Sequence, residues 1–154
     1  MNSLFSQQDS QVDRILVVDD LADNSFLLQT VLESEGYAVE VADSGRAALD
    51  KIAASPPDLV LLDVMMPEMN GFEVTQCIRQ NPALPFIPIL LVTGYDEPDP
   101  AAGFDVGADG FIRKPIDFDH LLNQIQTILL PRDLINPSKS EQVQPFPKQE
   151  MISD

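Results

Sequence analysis

The 154-residue chain predicts an α/β protein: a doubly wound, five-stranded parallel sheet with helices on both faces. Three observations predict it. Strand-like and helix-like segments alternate five times. Three runs, Ile15-Leu16-Val17-Val18, Leu59-Val60-Leu61-Leu62 and Ile89-Leu90-Leu91-Val92, are purely aliphatic, as strands covered on both sides are. Two further runs are partly charged, which suits the two edges of the same sheet.

Each element has its own signal. The first strand, Ile15 to Val18, ends at Asp19-Asp20. A helix is expected over Asp23 to Glu35, with Leu27, Leu28, Val31 and Leu32 on one face and Gly36 as its stop. The second strand, Ala38-Val39-Glu40-Val41, has a charge in its middle and suits an edge. Ser44 to Ala54 reads as a helix with Ala48, Leu49 and Ile52 inward, closed by Pro56-Pro57. The third strand, Leu59 to Leu62, ends in Asp63. Gly71 to Gln80 is helical before Pro82, with Phe72, Val74, Cys77 and Ile78 as its apolar residues. Cys77 is expected to pack against the sheet.

The fourth strand, Ile89 to Val92, ends in Thr93. Asp99 can cap a short helix whose first residue is Pro100. Pro98 and Pro100 delay that helix, and Gly103 inside it costs about 1 kcal/mol against alanine. It is expected to be short and mobile. The fifth strand, Phe111-Ile112-Arg113-Lys114, turns basic at once and suits the other edge. Asp117 caps a last helix with Leu121, Leu122, Ile125, Ile128 and Leu129 inward. Right-handed crossovers and the two weak edges fit the strand order 2-1-3-4-5, one of the common orders of doubly wound sheets.

Composition narrows the function. At 44% hydrophobic residues the chain can build a core. No apolar run approaches the roughly 20 residues of a membrane span, and Met1 to Asp13 lacks the pattern of a signal peptide. A lone cysteine suits a reducing, cytoplasmic setting. The net charge is −16, and all but one unit of it lies before Pro131. Such a surface repels nucleic acids and anionic membranes and favours cations and protein partners. After Leu130 the periodicity ends, and Pro131, Pro137, Pro145 and Pro147 mark a flexible tail.

The strand ends carry the chemistry. In a parallel sheet Asp19, Asp20, Asp63, Thr93 and Lys114 all fall at one edge, the edge where open α/β sheets bind ligands. Three carboxylates in one pocket repel, and a single lysine offsets only part of that. Two unit charges about 4 Å apart interact by roughly 4 kcal/mol at an effective dielectric near 20. A divalent cation would offset the rest, and oxygen-only ligands in an open position suit Mg²⁺.

The spans Ile15 to Asp20, Leu62-Asp63-Val64-Met65-Met66-Pro67-Glu68-Met69-Asn70-Gly71, Val92-Thr93, and Gly107-Ala108-Asp109 to Lys114-Pro115 resemble the receiver domains of bacterial two-component response regulators. The likeness covers about Arg14 to Leu130. It implies a flavodoxin- or CheY-like fold over residues 14–130, between an N-terminal extension (1–13) and the tail (131–154). It implies a stand-alone phosphoacceptor that is not an enzyme beyond its own phosphorylation and dephosphorylation. Asp63 would take the phosphoryl group from a histidine kinase or histidine phosphotransfer protein. An acyl phosphate is labile enough to switch off.

Asp20 and Asp63 would hold Mg²⁺ directly, Asp19 mostly through water, and the Met65 backbone carbonyl would complete the protein ligands. Thr93 and Lys114 would contact phosphoryl oxygens. Phe111 would turn inward as Thr93 moves, and the Lys114-Pro115 bond would be cis. Met65 and Tyr95 would flank the acceptor and slow hydrolysis, giving a long-lived phosphoform. Output would pass to a downstream protein, in signalling or a phosphorelay.

Plainer readings stand beside these. Asp19-Asp20 or Asp63 alone could cap loops, Thr93 alone could simply end a strand, and Lys114 alone could be solvated. Phe111 could be core. His120 has no ligand-spaced partner and reads as a surface residue. The stretches 99–106 and 117–130 contain no lysine or arginine, which argues for a monomer or weak dimer rather than a dimer built on salt bridges there. A nucleotide-binding domain would need glycines after the first strand, where this chain has Asp19-Asp20-Leu21-Ala22-Asp23. An aspartyl-phosphate hydrolase resembles a pattern with two aspartates one residue apart, which adjacent Asp19 and Asp20 do not make. A degenerate receiver that only binds would lack some of the five key residues, and all five are present.

Overall fold

A computed structural model of the chain describes residues 12–94 and 105–130. The expected helix around Asp99 to Gly103, Tyr95, and the two terminal segments lie outside the described residues. Within them the order is β1 (Arg14–Val18), α1 (Ala22–Ser34), β2 (Ala38–Ala42), α2 (Gly45–Ala54), β3 (Leu59–Asp63), α3 (Gly71–Arg79), β4 (Ile89–Thr93), β5 (Gly110–Arg113) and α4 (Phe118–Leu129). The five strands form one parallel sheet in the order β2-β1-β3-β4-β5.

Burial follows each strand's place. Every residue of β3 and β4 is buried. On the edge strand β2, Ala38 and Glu40 are exposed, Val39 and Val41 half-buried. Side chains alternate across a strand, so the sheet has two core faces. Leu16, Val18, Val60, Leu62, Ile89 and Leu91 share one cluster with Ala48 and Ile52 of α2 and Val74 and Ile78 of α3. The other face carries Ile15, Val17, Leu59, Leu61, Leu90 and Val92, and α1 brings its buried Leu28 and Leu32 there.

Two expectations need correction. Leu27 is 51% exposed. The buried stripe of α1 is Ser25-Leu28-Leu32, and Leu27 sits about 130° round the helix from its centre. Cys77 is exposed as well. On α3 the inward positions are Gly71, Val74, Thr75 and Ile78. Thr75 fits there because its hydroxyl donates to the Gly71 carbonyl (2.8 Å).

Caps fix where the helices start. Ser44 Oγ accepts from the Ala47 amide (3.0 Å). Asn70 and Glu73 form a reciprocal capping box at α3. Asp117 Oδ1 accepts from the His120 amide (3.2 Å), so Asp117 caps α4. The chain divides by internal contact after Leu122. The sheet and the helices before that point form one unit, and the described part of the second is the remainder of α4.

At the N-terminal rim of the sheet, Arg79 ends α3 and holds two other segments, the approaches to β4 and β5. Its guanidinium donates to the carbonyls of Gly107 (2.9 Å) and Ile87 (2.7 Å) and to Asp109 Oδ2 (2.8 Å). The same Asp109 oxygen accepts from the Ile89 amide (2.8 Å). Phe86 stacks against the guanidinium at 4.8 Å.

Candidate functional site

The C-terminal rim holds the pocket, and strand register decides which side chains meet there. Val18 pairs with Leu62, Asp63 with Val92 and Thr93 with Arg113. Alternation therefore sends Asp63, Lys114 and, one residue past β1, Asp19 to the face that α1 covers. It sends Thr93 to the opposite face, the same one as Phe111, whose partner in the ladder is Leu91. Phe111 is half-buried and packs against the core on that face.

One carboxylate oxygen each of Asp19, Asp20 and Asp63 lies within 4.8 Å of the others. Asp19 and Asp63 are buried and Asp20 is half-buried. Lys114 Nζ lies 3.1 Å from Asp63 Oδ1. Thr93 Oγ1 is buried and has no hydrogen-bond partner among the described residues. The Met65 side chain is 57% exposed beside this rim.

Each loop is tied down locally. The Asp19 amide donates to the Ala42 carbonyl (3.1 Å). Asp19 Oδ1 accepts from the Leu21 amide (2.9 Å), and the Asp19 carbonyl accepts from Ser25 Oγ (3.3 Å). The loop after Asp63 closes when the Gly71 amide donates to the Val64 carbonyl (2.8 Å). Within it Glu68 takes a positive φ of 71°, and the Met69 amide bonds back to the Pro67 carbonyl (2.7 Å). Gly71 suits this close approach, since a Cβ there would sit 2.7 Å from the Asp63 carbonyl oxygen and 2.9 Å from Val64 Cα and force the backbone to shift. Lys114 is placed by its amide, which donates to the Thr93 carbonyl (2.8 Å), and the Lys114-Pro115 peptide is cis.

Charge defines what the pocket can do. Two carboxylates no more than 4.8 Å apart repel by at least about 3 kcal/mol at an effective dielectric near 20, and Lys114 at 3.1 Å returns about 5 kcal/mol to Asp63. The three oxygens form a hard, oxygen-only donor set that could hold a metal ion, of the kind that suits Mg²⁺. The Thr93 hydroxyl, buried without a hydrogen-bond partner among the described residues, leaves a donor unused at this rim. Next to the pocket lies a cavity of about 280 Å³ between α1 and the segment after β5. Asn24, Leu27, Leu28, Ile116 and Phe118 line it, and Asp19 and Lys114 form its shared wall.

The structure thus gathers Asp19, Asp20, Asp63, Thr93 and Lys114 at one rim, with Met65 beside them and Phe111 below Thr93; Tyr95 lies outside the described residues. Sequence reasoning passed over Ser25 and the role of Gly71. Ser25 carried a legible signal, because it precedes Leu28 and Leu32 at the three- and four-residue spacing of a buried stripe.

A parallel sheet in this order, with an acidic pocket and one lysine at its C-terminal rim, defines the receiver class of α/β proteins. Residues 15–126 match the response regulator receiver domain family, and the chain belongs to that family, whose members act in two-component signalling. It is 39% identical over 132 residues, 84% of this chain and 30% of the other, to a Vibrio cholerae protein named "Probable cyclic di-GMP phosphodiesterase". It is 39% identical over 116 residues, 75% of this chain and 52% of the other, to response regulator ArlR of Staphylococcus epidermidis. The solved structure of Vibrio cholerae chemotaxis protein CheY4 superposes with a TM-score of 0.71 at 35% identity, covering 77% of this chain and 99% of that one. The chain therefore spans about half, or less, of the length of these two curated relatives. No helix among the described residues is long and apolar enough to cross a membrane.

Proposed function

We propose that residues 14–130 accept a phosphoryl group on Asp63 from the phosphohistidine of a histidine kinase or histidine phosphotransfer protein, with Mg²⁺ in the acidic pocket. Phosphorylation then switches binding to a downstream protein. The supporting observation is the triad of carboxylates within 4.8 Å, with Lys114 3.1 Å from Asp63.

Asp20 and Asp63 would hold the ion directly, Asp19 mostly through water, and the Met65 carbonyl would complete the protein ligands. Bound there, Mg²⁺ would supply charge neutralisation for the transferring group. An Asp63 oxygen attacks phosphorus, the P–N bond to the donor imidazole breaks, and its electron pair leaves with the nitrogen. The product is an acyl phosphate. Lys114 shifts its ion pair to a phosphoryl oxygen. Thr93 Oγ1, buried without a partner among the described residues, turns to donate to another. Its departure opens room on the face it shares with Phe111, which swings inward. The apolar Met65 and the bulky Tyr95 hinder water, so the phosphoform persists.

The test is transfer of labelled phosphoryl from a phosphohistidine donor. Wild type takes up label in Mg²⁺ and not in EDTA, and Asp63→Asn takes up none. Label on Asp63→Asn at the wild-type level overturns the assignment.

A further inference from the structure

Among the described residues the buried polar side chains are Asp19, Ser25, Asp63, Thr75 and Thr93. Three belong to the pocket. Thr75 bonds within its own helix. Ser25, in the first turn of α1, is left over, and its hydroxyl leaves the helix to reach the Asp19 carbonyl oxygen at 3.3 Å.

We infer that Ser25 is a positioning residue for the metal pocket, acting through the Asp19-Asp20 peptide plane on the Asp20 carboxylate. This rests on the reading of the pocket as a Mg²⁺ site. The peptide group is planar, so the Asp19 carbonyl, the Asp20 amide and the Asp20 Cα turn as one rigid plate. The Asp19 side chain has its own anchor, the Leu21 amide at 2.9 Å. The half-buried Asp20 carboxylate has no such anchor among the described residues. Its direction is set by where that plate points.

Ser25 is well placed to hold the plate. It is only 3% exposed, it lies on the same buried stripe as Leu28 and Leu32, and its own amide bonds to the Leu21 carbonyl (3.1 Å). A ligand drifting by about 10–20° leaves its productive geometry. Without the hydroxyl, the nearest backbone anchors are the Asp19 and Leu21 amides, on the peptide planes to either side of the plate.

Calorimetric titration of Mg²⁺ into the full, unphosphorylated chain tests this without any transfer reaction. Ser25→Ala weakens Mg²⁺ binding by about 10-fold, the lower end for partners outside the metal's own ligands. Ser25→Thr, which keeps the hydroxyl, binds near the wild-type level. The metal-free melting temperature of Ser25→Ala stays close to wild type, because alanine favours a helix. Unchanged affinity in Ser25→Ala overturns the inference, and so does equal weakening in Ala and Thr, which would mark a packing effect. A wild type that binds Mg²⁺ as stated but takes up no phosphoryl group overturns the acceptor assignment and leaves the role of Ser25 standing.

Discussion

Replacing Asp20 by asparagine stabilises the metal-free protein, and it does so more than the same change at Asp63. Asp20 lies within 4.8 Å of two other carboxylates. At an effective dielectric near 20 each contact at that limit repels by about 3–4 kcal/mol, or about 7 kcal/mol for the two before screening. Asp20 is half-buried, and solvent and salt screen it toward the surface range of about 0.2–1 kcal/mol per pair. A gain of about 1–2 kcal/mol is expected, which is about 3–10 °C in melting temperature for a domain of this size. Asp63→Asn also relieves two repulsions, with Asp19 and Asp20, but forfeits the Lys114 contact at 3.1 Å, worth about 5 kcal/mol on the same scale. Its net change is near zero.

Calorimetric melts in EDTA, at low and high salt, measure both variants. Asp20→Asn melts above wild type, and the gap narrows as salt rises. In saturating Mg²⁺ the order reverses, because a ligand present at 100 times its Kd adds about 2.7 kcal/mol to wild type. An Asp20→Asn protein that melts below wild type in EDTA refutes the electrostatic reasoning.

Gly71→Ala places a Cβ 2.7 Å from the Asp63 carbonyl oxygen; it costs about 1–3 kcal/mol by overpacking and slows phosphoryl uptake, both read from denaturant melts and the transfer assay. Asp13 tests pH dependence. Its burial, aided by the Asp58 carboxylate, raises its pKa above 3.8. A raised carboxyl holds its proton longer in the folded chain than in the unfolded one. Its contribution is therefore most favourable at low pH and falls as pH rises from 3.8 through the raised value. Asp13→Asn gains on wild type across that window, in urea melts at a series of pH values. A difference independent of pH refutes it.

The sheet was legible because β1, β3 and β4 are aliphatic throughout, and only strands covered on both faces need that. The order of the strands made the pocket legible too: once five elements run parallel, Asp19, Asp63, Thr93 and Lys114 share a rim whatever their distance in sequence. Helix faces were read less well. Leu27 and Cys77 are apolar by type but sit one residue off the buried stripe, and Ser25 and Thr75 hide by bonding to backbone carbonyls. Side-chain chemistry alone does not reveal such internal satisfaction. The partner of Asp109 was illegible for a similar reason, since Arg79 lies 30 residues away with no local pattern to join them.

That guanidinium bears on how the molecule comes apart. It grips a carbonyl 8 residues ahead and another 28 ahead, so the final turn of α3 and the seat of β5 cannot loosen independently. They open and close as one cooperative block, at the rim remote from Asp63.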